Sequence, residues 1–117
     1  MIATSAVRRI WLARYKVDFR KGHDGLLGEA YRVGLDPFLG DCLVFVGRDR
    51  RRFKVLFVDT NGLWVAYKRF HKGALKGRFE FLTDPRCSEI TTADLSMLLE
   101  GAAYTVHKRL DDWPKKT

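Results

Sequence analysis

Three apolar runs joined by short polar segments constrain the fold of this chain more than any other feature, and they span residues 42–46, 53–58 and 63–70. The second and third runs are separated by a segment that ends in Asn61-Gly62, a pair that readily adopts the positive φ angles of a tight hairpin loop. Short apolar runs bounded by turn residues are typical of antiparallel strands. The sequence therefore predicts an antiparallel β meander at the centre of the chain.

Further elements are expected before the meander. Residues 9–13 have the composition of a short strand. A helix is predicted from about residue 19 or 22 to residue 33, because Asp18 is a good N-cap and Gly34 is a good C-terminal stop.

Two more elements are expected after the meander. A short strand is predicted at 78–82, and a second helix over 93–100, capped by Thr91 or Thr92 and ended by Gly101. Together these elements predict an α+β fold, an antiparallel β meander of four to five strands with two helices packed on it. Repeats and linkers are absent from the sequence, so we expect a single domain over 1–117, with a core at about 8–104 and a frayed tail at about 105–117.

Composition restricts the class of protein. The chain has 117 residues, of which 46% are hydrophobic, so it can bury a core without metals or disulfides. Its apolar runs are shorter than the ~18–20 residues that span a bilayer, and its first residues lack the order of a signal peptide. Cys42 and Cys87 are far apart, and Cys87 follows a proline in an expected loop. We therefore expect free thiols, no metal, no cofactor, no membrane partner and a cytoplasmic location.

The charge is strongly positive, with 22 lysines and arginines against 14 acidic residues. Its densest block is Arg48-Asp49-Arg50-Arg51-Arg52, between two predicted strands. Guanidinium groups stay charged and offer a rigid fork of donors that fits phosphate. Because like charges this close repel one another, an outward-facing cluster of this kind favours a polyanion such as nucleic acid.

The candidate DNA-contacting residues lie in three basic blocks. The expected binding patch is the hairpin tip with the neighbouring strands, and the start of the first helix adds two residues where free backbone amides favour anions. The set is Arg48, Arg50, Arg51, Arg52, Lys54, Lys68, Arg69, Arg20 and Lys21. Six neutralised phosphates would give a log–log salt slope of about −5.

Two other classes of function stay open on the residues alone. Asp18, Asp24, Asp41 and Asp59 lie at expected element edges, where two of them could hold Mg²⁺ for a nuclease. Asp18 and Asp41 also suit caps, and Asp59 suits the first position of a turn. Alternatively, the chain is a protein–protein adaptor, which would use the apolar stripe of the second helix or a sheet edge and make no DNA contact.

Several separated blocks resemble one known family. Residues 17–26 are similar to its motif TDMRKGFDGL, and residues 36–48 to DPFSG followed by FVFRGR. Residues 54–70 are similar to IKVLWWDGDG…KRLE, and residues 95–101 to a closing L..LLEG. The family is the small accessory protein (TnpB or second-frame type) of insertion-sequence-sixty-six-type bacterial transposable elements.

This resemblance implies a helper role in transposition. Such elements encode a separate, larger transposase that carries the catalytic acids. This role agrees with the interpretation of the residues as a basic domain without an active site of its own. Our hypothesis is a non-catalytic protein that binds the DNA of the element, or the complex of that DNA with the transposase, through phosphates.

Overall fold

The computed structural model describes residues 6–75 and 79–101. Its elements are β1 (Arg9–Ala13), α1 (His23–Arg32), a 3-10 turn (Pro37–Leu39), β2 (Asp41–Val46), β3 (Arg52–Val58), β4 (Leu63–Arg69), β5 (Cys87–Ile90) and α2 (Thr92–Glu100). None of the helices in these residues is both long and apolar enough to cross a membrane.

The five strands form one sheet in the order β4-β3-β2-β1-β5. β2, β3 and β4 pair as consecutive antiparallel neighbours, so the predicted meander is confirmed. β1 pairs with β2 in parallel, and α1 is part of the crossover between them. β5 closes the other side of β1 in antiparallel pairing. The fold is therefore α+β, as predicted, with one parallel pair that the sequence did not reveal.

The two helices lie on opposite faces of the sheet. Alternate residues of a strand point to opposite faces, and in β1 Ile10 packs in the cluster of α2 while Trp11 packs in the cluster of α1. Leu95 and Leu98 of α2 are buried in the first cluster, and Leu26 and Ala30 of α1 in the second. We call the two sides the α1 face and the α2 face. All six residues of β2 are buried, as expected for a central strand covered on both sides.

Both helices end as predicted, but only one begins as predicted. Gly34 and Gly101 follow α1 and α2 with φ of 83° and 74°, the left-handed conformation that glycine adopts without strain. Thr91 caps α2 in a capping box with Asp94. The prediction of Asp18 as N-cap of α1 is wrong, because Gly22 takes that place without a side-chain hydrogen bond.

The β3–β4 hairpin forms where predicted, by a different turn. Neither Asn61 nor Gly62 has a positive φ. Instead, the Asp59 carboxylate accepts hydrogen bonds from the backbone N–H groups of both residues, at 3.1 and 2.9 Å. The turn is therefore set by the Asp59 carboxylate and not by positive φ angles at Asn61 and Gly62.

The end of the sheet differs from the prediction. Within the described part of 78–82, only Leu82 pairs, through a single bridge to Tyr15, so the predicted strand is wrong. The strand that does form, β5, was missed because its residues Cys87–Ile90 show little apolar alternation. Cys87 is therefore buried in a strand rather than in a loop. Arg78 and the tail at 105–117 lie outside the described residues.

A buried carboxylate joins β1, β2 and the 3-10 turn. Asp41 Oδ1 accepts a hydrogen bond from the Trp11 indole N–H at 3.0 Å, and Asp41 Oδ2 accepts one from the Asp36 N–H at 2.9 Å. Arg9 lies 3.2 Å from the same carboxylate. Asp41 is only 4% exposed, so these bonds replace its hydration. Asp41 therefore has a structural role in the parallel β1–β2 pair.

Candidate nucleic-acid interface

An open cleft of about 530 Å³ lies between two segments that are far apart in sequence. One wall is the segment that follows β1, and the other is the turn between β2 and β3. Its lining residues are Lys16, Val17, Asp18, Phe19, Arg20, Arg48 and Arg52. Four of these seven side chains are cationic and one is anionic. We call this site the basic cleft.

Lys54 fixes the first wall of the basic cleft. It is on the α1 face of β3, and its ammonium group donates to the Phe19 carbonyl at 2.7 Å and to the Lys21 carbonyl at 2.9 Å. The same group lies over the rings of Phe19 and Tyr67, at 5.3 and 5.2 Å. Two of its three donors are thus occupied within the protein. The structure gives Lys54 the role of a tether for the segment carrying Arg20.

The second wall is a turn ordered by Asp49. Its carboxylate accepts a hydrogen bond from the Arg51 N–H at 3.0 Å and contacts Arg52 Nε at 3.3 Å. A Cβ on Gly47 would lie 3.2 Å from Arg52 Cβ, so glycine leaves room for this arrangement. The Arg52 guanidinium then lies 5.1 Å from the centre of the Phe19 ring. Phe19 therefore connects the two walls.

The arginine tip is divided between the two faces of the sheet. Arg50 has a φ of 59° and turns its guanidinium toward the α2 face, where it donates to the Phe79 carbonyl at 3.0 Å and lies over Phe81. Lys68 is also on the α2 face and donates to the Leu99 carbonyl. The expectation that one patch includes Arg50 and Lys68 is therefore corrected. The turn is attached to residues 70–75 through backbone bonds, which explains why Arg50 points inward.

Three of the predicted residues are exposed and have side chains without an ion pair or hydrogen bond to the described residues. The side chains of Arg48, Arg51 and Arg69 form no ion pair with any residue in 6–75 or 79–101. Arg69 is directly opposite Arg52 in the β3–β4 ladder, so both lie on the α1 face. Like charges directly opposite each other in a sheet are destabilising. A bound anion would relieve this repulsion.

Lys21 is engaged by α1 rather than by the cleft. Its ammonium group is 2.7 Å from Glu29 Oε2, and Arg32 is 2.7 Å from Glu29 Oε1. Burial raises the pKa of Glu29, but the hydrogen bonds from Lys21 and Arg32 outweigh it and lower the pKa overall. The stem of Lys21 crosses the helix where a Cβ on Gly25 would stand, 2.9 Å from Lys21 Cβ. Gly25 thus permits the Lys21–Glu29 ion pair.

Asp18 orients Arg20 at the mouth of the basic cleft. Its carboxylate accepts hydrogen bonds from the Arg20 N–H at 2.9 Å and from the guanidinium at 2.8 Å. The guanidinium bond, and next the backbone bond, lower the pKa of Asp18 to about 2. At Asp49, the backbone bond from Arg51 likewise lowers the pKa. Both carboxylates therefore stay ionised at neutral pH. The basic cleft is still positive overall, because its lining has four cations and one carboxylate.

The Asp18–Arg20 pair leads to a prediction about pH. Because the pKa of Asp18 is lowered by folding, the pair contributes its full stability above the ordinary value of 3.8 and loses it as the pH falls through about 2. Carboxyl-carbon NMR should give an Asp18 midpoint near 2 in the folded protein, and the Arg20→Gln variant should return it toward 3.8. A wild-type midpoint near 3.8 would mean that the pair does not persist in solution.

The carboxylates considered for a nuclease do not converge. Asp18 binds Arg20, Asp41 is buried on Trp11, and Asp59 holds the β3–β4 turn and accepts from the Trp64 indole at 2.7 Å. Asp24 is exposed in the first turn of α1. Across 6–75 and 79–101, no three His, Cys, Asp or Glu side chains come together as metal ligands do.

Five of the seven residues that line the basic cleft lie in blocks that resemble one family, four of them in residues 17–26 and Arg48 in residues 36–48. A family model described as "IS66 Orf2 like protein" matches residues 8–109. The chain belongs to this family. Membership in the IS66 Orf2 like proteins confirms the resemblance and gives the chain an accessory role in transposition of an IS66-type insertion sequence.

One relative of this IS66 Orf2 like protein is found in Sinorhizobium fredii (strain NBRC 101917 / NGR234). It is described as "Uncharacterized protein y4jC" and is 29% identical over 113 residues, which cover 93% of this chain and 92% of the relative. No solved structure matches the chain.

One cleft residue of this IS66 Orf2 like protein was missed among the predicted contacts. Lys16 is exposed and lies beside the buried Tyr15. The sequence signal was available, because Lys16 belongs to the basic block of the first twenty-one residues. It was missed because the prediction took from this block only Arg20 and Lys21, at the expected start of the first helix, and only the tertiary structure brings Lys16 beside the β2–β3 turn.

Proposed function

We propose that this IS66 Orf2 like protein is a non-catalytic accessory factor that binds the phosphate backbone of DNA, alone or within the transposase–DNA complex. The observation that carries the proposal is the convergence of Lys16, Arg20, Arg48 and Arg52 around one open cleft. These residues come from segments about thirty positions apart, so folding concentrates charge that the sequence distributes.

The chemistry of the cleft suits phosphate. Arg48 and Arg52 present guanidinium forks, and Arg52 is held in place by Asp49 and the Phe19 ring. Arg20 is 92% exposed while its orientation is set by Asp18. A preorganised and accessible cation gains more from an anion than a flexible one, because less side-chain entropy is lost on binding.

The positive charge around the cleft also supports DNA as the partner. Arg69 stands opposite Arg52, so positive charge extends from the cleft across β3 to β4. Neutralising this charge with DNA phosphates releases condensed counterions, which is the main source of backbone affinity. No base-reading element is required for such binding.

The direct test is fluorescence anisotropy of the protein with labelled element-end DNA and with random DNA at several salt concentrations. Four phosphate contacts give an expected log–log slope of about −3.6 on both DNAs. This is shallower than the sequence-based expectation, since Arg50 and Lys68 point to the other face. Absence of binding at low salt, or affinity independent of salt, would refute the proposal.

A second candidate, a protein adaptor for the transposase, is supported by exposed apolar side chains. Phe38 and Leu39 of the 3-10 turn are 57% and 73% exposed. The helix stripe considered for this role is less suitable, because Leu95 and Leu98 are buried in the protein's own core. If the protein binds labelled DNA only after transposase is added, the adaptor is favoured over direct DNA binding.

A further inference from the structure

A second cleft adjoins the basic cleft and shares Lys16 with it. It measures about 360 Å³ and is lined by Tyr15, Lys16, Arg32, Phe81, Leu82, Thr83 and Pro85. Lys16 is exposed between the two clefts, with its ammonium group 5.9 Å from the centre of the Phe81 ring. The two clefts therefore have a common cationic boundary.

Arg32 is the other cation that lines the second cleft. Its side chain is 51% exposed, although one of its nitrogens is bonded to Glu29 at 2.7 Å. The guanidinium also lies over the Tyr15 ring, 5.4 Å from its centre. A guanidinium has five N–H donors, so this arrangement leaves donors for an incoming phosphate.

We propose that the two clefts form one continuous track for a DNA strand, from Arg48 and Arg52 past Lys16 to Arg32. This inference rests on the proposed DNA-binding function and specifies the ligand as an extended stretch of backbone rather than a single phosphate group. The apolar surface of Phe81, Leu82 and Pro85 suits the sugar edges of such a strand, whereas it offers nothing to an isolated anion.

A charge-insertion experiment tests the track at a residue with no bonding role. Thr83 is exposed and lines only the second cleft. Thr60 is also exposed and lies in the β3–β4 turn, at the opposite end of β3 from Arg52. Given the rise per residue of a strand, Thr60 is about 20 Å from Arg52. Thr83→Glu and Thr60→Glu change the net charge equally, so they form a matched pair.

With random DNA at 0.1 M salt, Thr83→Glu is expected to bind roughly eightfold more weakly than wild type, the equivalent of one lost phosphate contact. Thr60→Glu should bind like wild type, and thermal melting should show both variants folded. Equal affinities of the two variants would overturn the track.

A protection experiment supplies an independent measurement. Thr83→Cys and Thr60→Cys each add one exposed thiol to a protein whose own Cys42 and Cys87 are buried. Burial raises the pKa of Cys42 to about 12, which further suppresses its reactivity. Saturating DNA should slow alkylation of the Thr83→Cys variant by uncharged iodoacetamide and leave that of Thr60→Cys unchanged.

The outcomes separate this inference from the proposed function. If wild-type protein binds DNA and loses affinity when Arg48 and Arg52 are replaced, the proposed function stands. Unslowed alkylation of Thr83→Cys on saturating DNA then overturns the track alone. If the wild-type protein does not bind DNA, both proposals fail.

Discussion

Replacing Arg48 and Arg52 together by alanine is expected to weaken DNA binding roughly sixtyfold at 0.1 M salt. Each phosphate contact contributes about −0.9 to the log–log salt slope, so it is worth about eightfold at 0.1 M relative to 1 M. Both residues line the basic cleft, and their side chains are not required by either hydrophobic cluster. Anisotropy titrations at several salt concentrations should also show the slope becoming shallower by about 1.8.

The control for this prediction removes the same charge from the other face. Arg50→Ala with Lys68→Ala also lowers the net charge by two, but these side chains donate to the carbonyls of Phe79 and Leu99. We expect this double variant to bind DNA nearly as well as wild type, with thermal melting as the check on folding. If both double variants lose affinity equally, net charge rather than the basic cleft determines binding.

Replacing Asp41 by alanine is expected to lower the free energy of unfolding by about 3 kcal/mol, because it leaves buried donors without acceptors. The Trp11 indole N–H and the Asp36 N–H both lose their partner, and Trp11 is only 3% exposed. For a domain of this size, the melting temperature should fall by roughly 10–20 °C. Thermal and urea unfolding followed by circular dichroism measure the effect.

Asp84→Ala is the matched control for the stability prediction. Asp84 is an exposed aspartate outside every strand and helix, so its replacement should change stability by no more than about 0.5 kcal/mol. A comparable loss in both variants would mean that the Asp41 carboxylate is not the acceptor that holds β1 against β2. The stability of the Asp41→Asn variant should lie between those of wild type and Asp41→Ala, since an amide keeps one acceptor but presents N–H groups to the second donor.

The meander was predictable because its signals are local. Apolar runs, turn residues and strand length identify β2, β3 and β4 without knowledge of their partners. The ends of α1 and α2 were predictable for the same reason, since Gly34 and Gly101 act on their own helices. Long-range pairing was not predictable, because the parallel β1–β2 pair and the antiparallel β1–β5 pair join segments with no shared local signal.

The candidate site was predictable in composition and only partly in geometry. The sequence places Arg48 and Arg52 together at one hairpin tip, but it does not reveal that Arg20 lies beside them. It also counts Lys54 and Arg50 as contacts, whereas the fold uses Lys54 to hold the Phe19 segment and turns Arg50 onto Phe79. Whether a cation serves the fold or a ligand depends on which carbonyl or carboxylate lies within reach.

By itself, the sequence determined the family, the sign of the charge and the central hairpins, since these depend on residue type, order and nearest neighbours. The tertiary structure alone decided which cations share a surface. Strand alternation sends Arg52 and Lys68 to opposite faces, and the crossover through α1 brings Lys16 and Arg20 beside Arg48. Electrostatic attraction depends on distance in space, and only the packed sheet sets those distances.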